Sequence, residues 1–212
     1  YPPGVVGIAS AFLGRYREFD SCLNLVHLPP GTIKQWCLGV DPCHHFNEMC
    51  RTVISNPTFQ WIWILGDDHV FTTDLWYRLY KHNLDIVVPL CLRRSGFTPI
   101  LNNGSDGGYT AINDSWPYIT GKSGIMEWDG VCGNAGMLIR RNVLEAMEQP
   151  WFRAGQLHLE FSASDLYFAK AAQDAGFKIN IDLDNYIGHI NHMAIWPRRD
   201  ESGEWFVDTR AL

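Results

Sequence analysis

The stretch WIWILGDDHVFTTDLW, from Trp61 to Trp76, decides the fold class of this chain. It drives five large apolar residues straight into two adjacent carboxylates and an imidazole, Asp67, Asp68 and His69. An apolar run of this kind is typical of a strand buried on both faces of a sheet. Open α/β sheets bind ligands just beyond the carboxyl ends of such strands. The sequence therefore predicts a buried strand with a polar site at its C-terminal end.

Segments on both sides of this stretch alternate between strand-like and helix-like patterns. The predicted strands are VVGIAS (5–10), TIKQWCLGV (32–40), QWIWIL (60–65), DIVVPL (85–90), GMLIRR (136–141) and KINIDLD (178–184). The predicted helices lie at 17–27, 46–54, 72–83, 142–148 and 164–176. Such alternation favours an α/β fold with a mostly parallel central sheet flanked by helices.

The domain organisation follows from length and local composition. A chain of 212 residues can bury its apolar surface in one core, and we expect one domain over 1–212. The section 93–129 is rich in Gly, Asn, Ser and Asp, which predicts an excursion of loops and hairpins over one face of the sheet. The last segment, 193–212, is a candidate C-terminal lid.

Charge and cysteine content limit the function classes. The net charge of -6 argues against a broad electrostatic footprint for nucleic acid. No apolar run approaches the roughly 20 residues that span a bilayer, so we expect no transmembrane segment. Six cysteines are scattered without a dense framework, which favours a reduced compartment. A cytoplasmic location is the expectation.

Two segments carry residues that suit a metal ion. Adjacent carboxylates repel, and two hard oxygen ligands beside an imidazole suit Mn²⁺ or a similar divalent ion. The alternative is that Asp67 and Asp68 only end the strand and cap the following turn. Near the C-terminus, DLDNYIGHINH (182–192) follows a predicted strand of the same sheet. Either His189 or His192 could therefore reach the acidic cluster, or be a structural histidine.

A further carboxylate and a glycine-rich passage complete the candidate residues. Asp165 falls in the first turn of a predicted helix, where the helix dipole favours it, and it is also a candidate general base. Gly130, Gly133 and Gly136 precede the apolar strand GMLIRR, and small residues there would let a ligand lie close to the backbone. The chain carries no GxGxxG, GxxxxGK[ST], GxSxG or HExxH motif.

In this order, the motifs resemble the GT-A superfamily of nucleotide-sugar-dependent glycosyltransferases. The segment ILGDDHV is similar to that family's strand-ending DxD signature in its DxH form. The resemblance implies that Asp67 and His69 are metal ligands and that Asp68 lies near the ribose or the donor sugar. The segment IGHI resembles the late histidine that completes the metal site, which implies His189 as the third ligand.

Three other segments extend the likeness over most of the chain. SASDLYFAKAAQDAGFKINID is similar to the family's acidic helix region, with Ala163 in the place of its usual first acidic residue, and implies Asp165 as the catalytic base. GNAGMLIRR resembles the segment beside donor and acceptor, which implies a donor contact at Gly136. EMCRTVI resembles a helix near the nucleotide, which implies Arg51, and Ser10 ends the first strand at the same edge.

The resemblance implies a hexosyltransferase-like enzyme that uses Mn²⁺ or Mg²⁺ and a nucleoside diphosphate sugar. The acceptor would be a hydroxyl of a glycan, small molecule, protein or modified nucleic acid. If Asp165 deprotonates that hydroxyl, the anomeric centre is inverted, and inversion is favoured over retention. Two alternatives stay open, a metal-dependent phosphoesterase and a catalytically silent module that binds a nucleotide sugar or glycan.

Overall fold

The computed structural model describes residues 1–10, 16–39, 41–94, 97–105, 108–111, 115–153, 164–191 and 193–211. Its strands, numbered along the chain, are β1 (Val5–Ser10), β2 (Ile33–Leu38), β3 (Trp61–Gly66), β4 (His69–Val70), β5 (Ile86–Leu90), β6 (Leu101–Ser105), β7 (Gly108–Ala111), β8 (Ile125–Trp128), β9 (Val131–Cys132), β10 (Leu138–Arg140), β11 (Ile179–Tyr186), β12 (Gly188–Ile190), β13 (Met193–Arg199) and β14 (Trp205–Ala211). Its α-helices are α1 (Arg17–Leu25), α2 (Pro42–Ser55), α3 (Leu75–Lys81), α4 (Arg141–Ala146) and α5 (Ser164–Asp174).

The central sheet has seven strands in the order β2-β1-β3-β10-β5-β11-β8. Strands β2, β1, β3, β5 and β11 run in one direction, whereas β10 and β8 run in the opposite direction. The α/β class is therefore confirmed. The sheet is mixed, because β10 inserts antiparallel between β3 and β5, so three of its six strand pairs are antiparallel.

Alternation along β3 gives the sheet two apolar faces. Trp61, Trp63 and Leu65 pack on one face with residues of α1 and α3. Ile62 and Ile64 pack on the other face with residues of α2, α4 and α5. Successive side chains of a strand point to opposite faces of the sheet. A strand that is apolar at every position therefore needs helices to cover both faces. The fold is a three-layer α/β/α arrangement.

Local sequence explains where α2 begins and which face it buries. Asp41 precedes the helix and its carboxylate accepts from the backbone N–H of His44 at 3.1 Å, while Pro42 occupies the first turn. Both features are typical of a helix N-terminus. The predicted apolar stripe is confirmed at its centre, since Met49 and Val53 are fully buried against the sheet.

The carboxyl ends of the parallel strands meet at one edge of the sheet. Here β1 ends at Ser10, β3 at Gly66, and β11 at Tyr186. Because β10 runs in the opposite direction, its N-terminal end reaches the same edge, together with the passage that begins at Gly133. This edge carries most of the residues predicted to form the site.

Two smaller sheets border the carboxyl edge. One contains β7, β6 and β9, and the other has the order β14-β13-β12-β4. The excursion differs from the prediction in one respect, because β8 pairs with β11 and becomes the outer strand of the central sheet. The segment predicted as a lid is a β13–β14 hairpin that extends from β12.

Candidate functional site

A short ribbon of β4 and β12 builds the candidate metal site. The two strands are antiparallel, with His189 opposite His69 and Gly188 opposite Val70. The backbone N–H of Ile190 also donates to the carbonyl oxygen of Asp68 at 2.7 Å. Side chains of directly opposed residues lie on the same face of a ribbon. The pairing therefore brings two imidazoles from distant parts of the chain together, with ring centroids 5.4 Å apart.

The carboxylate of Asp68 completes a group of three possible ligands. Its Oδ2 lies 3.2 Å from Nε2 of His189, and its Oδ1 lies 3.8 Å from Nε2 of His69. One ligand atom from each residue lies within 4.8 Å of the others. Among the described residues, this is the one group of three or more His, Cys, Asp or Glu side chains with such spacing.

Burial and neighbouring charge set the ionisation of this group. Burial alone would raise the pKa of the Asp68 carboxyl, but the hydrogen bond from His189 and the charges of His69, His189 and Arg94 hold it well below its usual range. Burial lowers the pKa of His69 to about 4, against a smaller opposing effect of Asp68. At neutral pH the site therefore presents a carboxylate beside a neutral His69 imidazole.

The outer contacts of the two histidines differ. Nδ1 of His189 lies 3.0 Å from the carbonyl oxygen of Leu92, so this nitrogen donates. Its Nε2 lies 3.2 Å from Oδ2 of Asp68, and a proton shared there must leave before Nε2 can bind a metal ion. Nδ1 of His69 instead accepts from the backbone N–H of Gly66 at 3.0 Å. A neutral His69 ring then carries its proton on Nε2, so metal binding through Nε2 requires the other tautomer and the loss of the Gly66 hydrogen bond. Asp68 thus offers a carboxylate directly, and each imidazole can bind a divalent cation through Nε2 once that nitrogen carries no proton.

Asp67 and Ser10 lie beside this group and contact each other. The hydroxyl of Ser10 donates to Oδ2 of Asp67, which joins the ends of β1 and β3. Asp67, expected as a ligand, is therefore outside the group of three, and Asp68, expected near the ribose or sugar, is inside it. The physical reason is the turn after Gly66, which directs the two consecutive carboxylates to different neighbours. His192 lies outside the described residues.

Arg94 is a site residue that sequence reasoning missed. Its Nη1 lies 3.2 Å from Oδ2 of Asp68, and its side chain is 50% exposed. The neighbouring Arg93 donates instead to the carbonyl of Leu101 and to the side chain of Asn102, each at 2.7 Å. The signal in the sequence was the Arg93-Arg94 pair, which begins three residues beyond the end of the buried strand β5.

The predicted base Asp165 lies at the start of α5 against the glycine-rich passage. A Cβ atom at Gly133 would stand 3.4 Å from its Oδ2, and the backbone N–H of Asn134 donates to the carboxylate. Burial raises the pKa of Asp165 above its ordinary value, although hydrogen bonds from Leu166, from its own N–H and from Asn134 oppose the shift. A carboxyl with a raised pKa at this position suits a general base.

A small cavity lies beside the end of β5 and the glycine-rich passage, and Cys91, Cys132 and Gly133 are among the residues that line it. Burial together with the Asp68 charge raises the pKa of the Cys91 thiol, and burial together with the Asp165 charge raises the pKa of the Cys132 thiol. The residues that line this cavity do not include Asp68, His69, His189 or Asp165.

Two predicted nucleotide-binding residues do not join this group. Arg51 lies in the second half of α2 and pairs with Glu48. It is nine residues beyond Pro42, so the helical rise carries it about 13 Å from the carboxyl edge. Gly136 has a φ of +70°, and a Cβ atom there would stand 2.8 Å from Pro89 and 3.0 Å from Ile187. The side-chain direction at Gly136 therefore points into the protein interior.

A second cavity of about 530 Å³ lies behind the ribbon. Val70 and Trp196 line it, and strand alternation places Val70 on the face opposite to His69. It is separate from the metal-ligand group. Among the described residues, no helix has the length and apolar character needed to cross a bilayer.

Comparison with known proteins supports the fold. The sequence matches no family model and no curated protein. The structure is similar to the crystal structure of A197 from STIV, with a TM-score of 0.64 and 12% identity over 99% of this chain and 96% of that chain. It is also similar to S. aureus TarS, crystallised in complex with UDP-GlcNAc, with a TM-score of 0.48 and 8% identity over 86% of this chain and 56% of that chain. The likeness to A197 shows a shared fold over nearly the full length of both chains.

Proposed function

We propose that this chain is a metal-dependent glycosyltransferase of the GT-A type, which moves a sugar from a nucleoside diphosphate sugar to a hydroxyl acceptor. The observation that carries the proposal is the meeting of Asp68, His69 and His189 at the carboxyl edge of the sheet. Open α/β sheets bind their ligands at this edge. A mixed carboxylate and imidazole set suits Mn²⁺, and Mg²⁺ more weakly.

On the donor side, the roles follow from position and charge. Asp68 and His189 hold the divalent cation, and the Leu92 carbonyl fixes the orientation of the His189 ring. Bound there, the cation supplies Lewis-acid stabilisation of the charge on the departing diphosphate. Asp67 and Ser10, which are joined by a hydrogen bond, would contact the nucleoside portion.

On the acceptor side, Asp165 receives the proton of the attacking hydroxyl. Its raised pKa improves proton acceptance relative to an ordinary carboxylate, provided the pH lies above that pKa. A Cβ atom at Gly133 would stand 2.5 Å from Ile100, so glycine lets this passage pack closely beside the carboxylate. Attack from the face opposite to the diphosphate gives inversion at the anomeric carbon.

The two alternative functions have different requirements. A two-metal phosphoesterase needs a second set of ligands near the first, and the described residues contain one such set. A catalytically silent module would bind the nucleotide sugar without a proton acceptor, so turnover separates it from the transferase.

Metal-linked nucleotide binding tests the proposal. The thermal midpoint of the wild-type protein is measured with UDP and with GDP, in the presence and absence of Mn²⁺. We expect one nucleoside diphosphate to raise the midpoint, with the larger shift when Mn²⁺ is present. The matching nucleotide sugar should then be hydrolysed or transferred, whereas a silent module would bind it without turnover and a phosphoesterase would release phosphate from simple esters.

A pair of adjacent variants separates Asp68 from Asp67. With Mn²⁺ alone, Asp68→Asn should lower metal affinity at least ten-fold, and Asp67→Asn should change it less than three-fold. Unliganded thermal midpoints show whether each variant is folded. A larger loss of metal affinity in Asp67→Asn than in Asp68→Asn would identify Asp67 as the ligand. Unchanged affinity in both variants would remove the proposed metal site.

A further inference from the structure

Arg94 shares a carboxylate oxygen with the proposed metal site. Its Nη1 and Nε2 of His189 each lie 3.2 Å from Oδ2 of Asp68. Asp68 is only 16% exposed, while Arg94 is 50% exposed. The arginine therefore reaches from the solvent side onto a carboxylate whose other contacts are buried.

A divalent cation cannot share Asp68 with this guanidinium without repulsion. If the side chain stayed in place, a cation bound to Asp68 and His189 would stand about 4 to 5 Å from the Arg94 charge, and even at the dielectric constant of water this repulsion would lower the affinity roughly twenty-fold. The half-exposed ion pair itself contributes little stability, so the arginine can leave at small cost.

We propose that Arg94 is a resident counter-ion for Asp68, which a divalent cation displaces on binding. The inference rests on the proposed metal site. Without metal, Arg94 adds a partner on the solvent side of the Asp68 carboxylate, which His189 contacts from the buried side. With metal, the guanidinium moves off Asp68 and remains on the segment that borders the site, where it can meet an anionic ligand.

Removal of the Arg94 charge should therefore tighten metal binding, although Arg94 contacts a residue of the site. Isothermal titration with Mn²⁺ alone, at low ionic strength, should give Arg94→Gln about two- to five-fold higher affinity than wild type, because the ion pair that the metal must break is half-exposed. Arg94→Lys, which keeps the charge, should stay within about two-fold of wild type. Since salt screens exposed charges, the difference between Gln and wild type should shrink in 0.5 M NaCl.

Arg78→Gln is the matched control. Arg78 is 55% exposed and also pairs with an aspartate, Asp74, but it is not among the charges that perturb Asp68. The control removes the same net charge and should leave Mn²⁺ affinity unchanged. An equal gain in Arg78→Gln would reduce the effect to net charge and overturn the proposal.

The remaining outcomes separate this proposal from the proposed function. Equal or weaker Mn²⁺ affinity in Arg94→Gln, with wild-type binding intact, overturns the counter-ion role alone. Failure of both wild type and Arg94→Gln to bind Mn²⁺ overturns the metal site and with it the proposed function. Unfolding midpoints without metal confirm that each variant is folded before the comparison is made.

Discussion

At the scale of single residues, the composition of the candidate metal site depends on which of the two consecutive carboxylates, Asp67 or Asp68, faces the histidines. The DxH spacing favours Asp67 as the partner of His69, yet Asp67 meets Ser10 and Asp68 meets His189. Consecutive residues in a turn can point in different directions, and the sequence does not contain the turn geometry that decides between them. His69 and His189 were implied by the resemblance, and the pairing of β4 with β12 places them opposite each other in the structure.

Asp165 allows a prediction in which activity and stability change in opposite directions. A raised pKa means that the folded state favours the protonated Asp165 carboxyl. As the pH rises from 3.8, the ordinary pKa, through the raised pKa of the folded state, wild type therefore loses stability, whereas Asp165→Asn does not. The titratable groups that face it are the thiols of Cys43 and Cys132. At pH 7.5, Asp165→Asn should melt at or above the wild-type midpoint and lose turnover by at least about 100-fold.

Thermal melts at pH 4 and pH 7.5, together with steady-state turnover, check this prediction. Wild-type activity should also fall as pH drops through the raised pKa of the base. Asp174→Asn is the control, since Asp174 lies near the exposed end of the same helix and pairs with Lys170. It should keep full turnover. A clear loss of stability in Asp165→Asn at pH 7.5 would instead show that the carboxylate mainly stabilises the helix N-terminus.

At the scale of elements, long periodic segments were predictable and short or reversed ones were not. The buried strands β3, β5 and β11 and the helix α2 stand where apolar runs or a helical stripe indicated them. The direction of β10 was not predictable, because an apolar strand inside a sheet has the same pattern in either direction. The ribbon strands β4 and β12 have two and three residues, which is too short for any periodicity. Their pairing is decided by tertiary contacts.

The passage before β10 gives a prediction about backbone strain and packing. Gly136 has a φ of +70°, and a Cβ atom there would press on Pro89 and Ile187. Gly121 has a φ of +75°, but a Cβ atom there would meet nothing within 4 Å. Gly121→Ala should therefore cost only the left-handed strain, about 1–2 kcal/mol. Gly136→Ala adds overpacking of about 1–3 kcal/mol, for a total of about 2–5 kcal/mol.

Urea unfolding at equilibrium measures both variants and separates the two effects. The free energy of unfolding should fall in each, with an unchanged dependence on denaturant concentration. Equal losses would show that the contacts with Pro89 and Ile187 relax without cost. If Gly136→Ala keeps its stability but loses nucleotide binding, Gly136 contacts the donor, as the resemblance implies.

At the scale of the whole molecule, the candidate site joins parts of the chain that are far apart in sequence. Asp68 and His69 follow β3, the Leu92 carbonyl follows β5, and His189 belongs to β12. The α/β class and the edge that carries these residues followed from the sequence, because buried parallel strands bring their carboxyl ends together. Arg94 did not, since only the folded chain shows that it reaches Asp68.

This long-range assembly predicts how metal ions should stabilise the fold. A ligand that binds only the native state at 100 times its Kd adds about 2.7 kcal/mol, or roughly 5–11 °C in Tm for a chain of this size. Two imidazoles beside one carboxylate should favour Ni²⁺ and Co²⁺ over Mn²⁺, and all three over Mg²⁺. At equal ion concentrations, the shifts in thermal midpoint should therefore follow that order.

Two histidine variants decide whether this selectivity comes from the site. His189→Ala should remove most of the shift with Ni²⁺, Co²⁺ and Mn²⁺ and change the small Mg²⁺ shift much less, because Mg²⁺ prefers oxygen ligands. His44→Ala is the control, since His44 is exposed on α2 and outside the group of three. It should leave every shift unchanged. Equal shifts with Mg²⁺ and Co²⁺ in the wild-type protein would mean that the imidazoles do not bind the ion, and the stabilisation would then come from carboxylates alone.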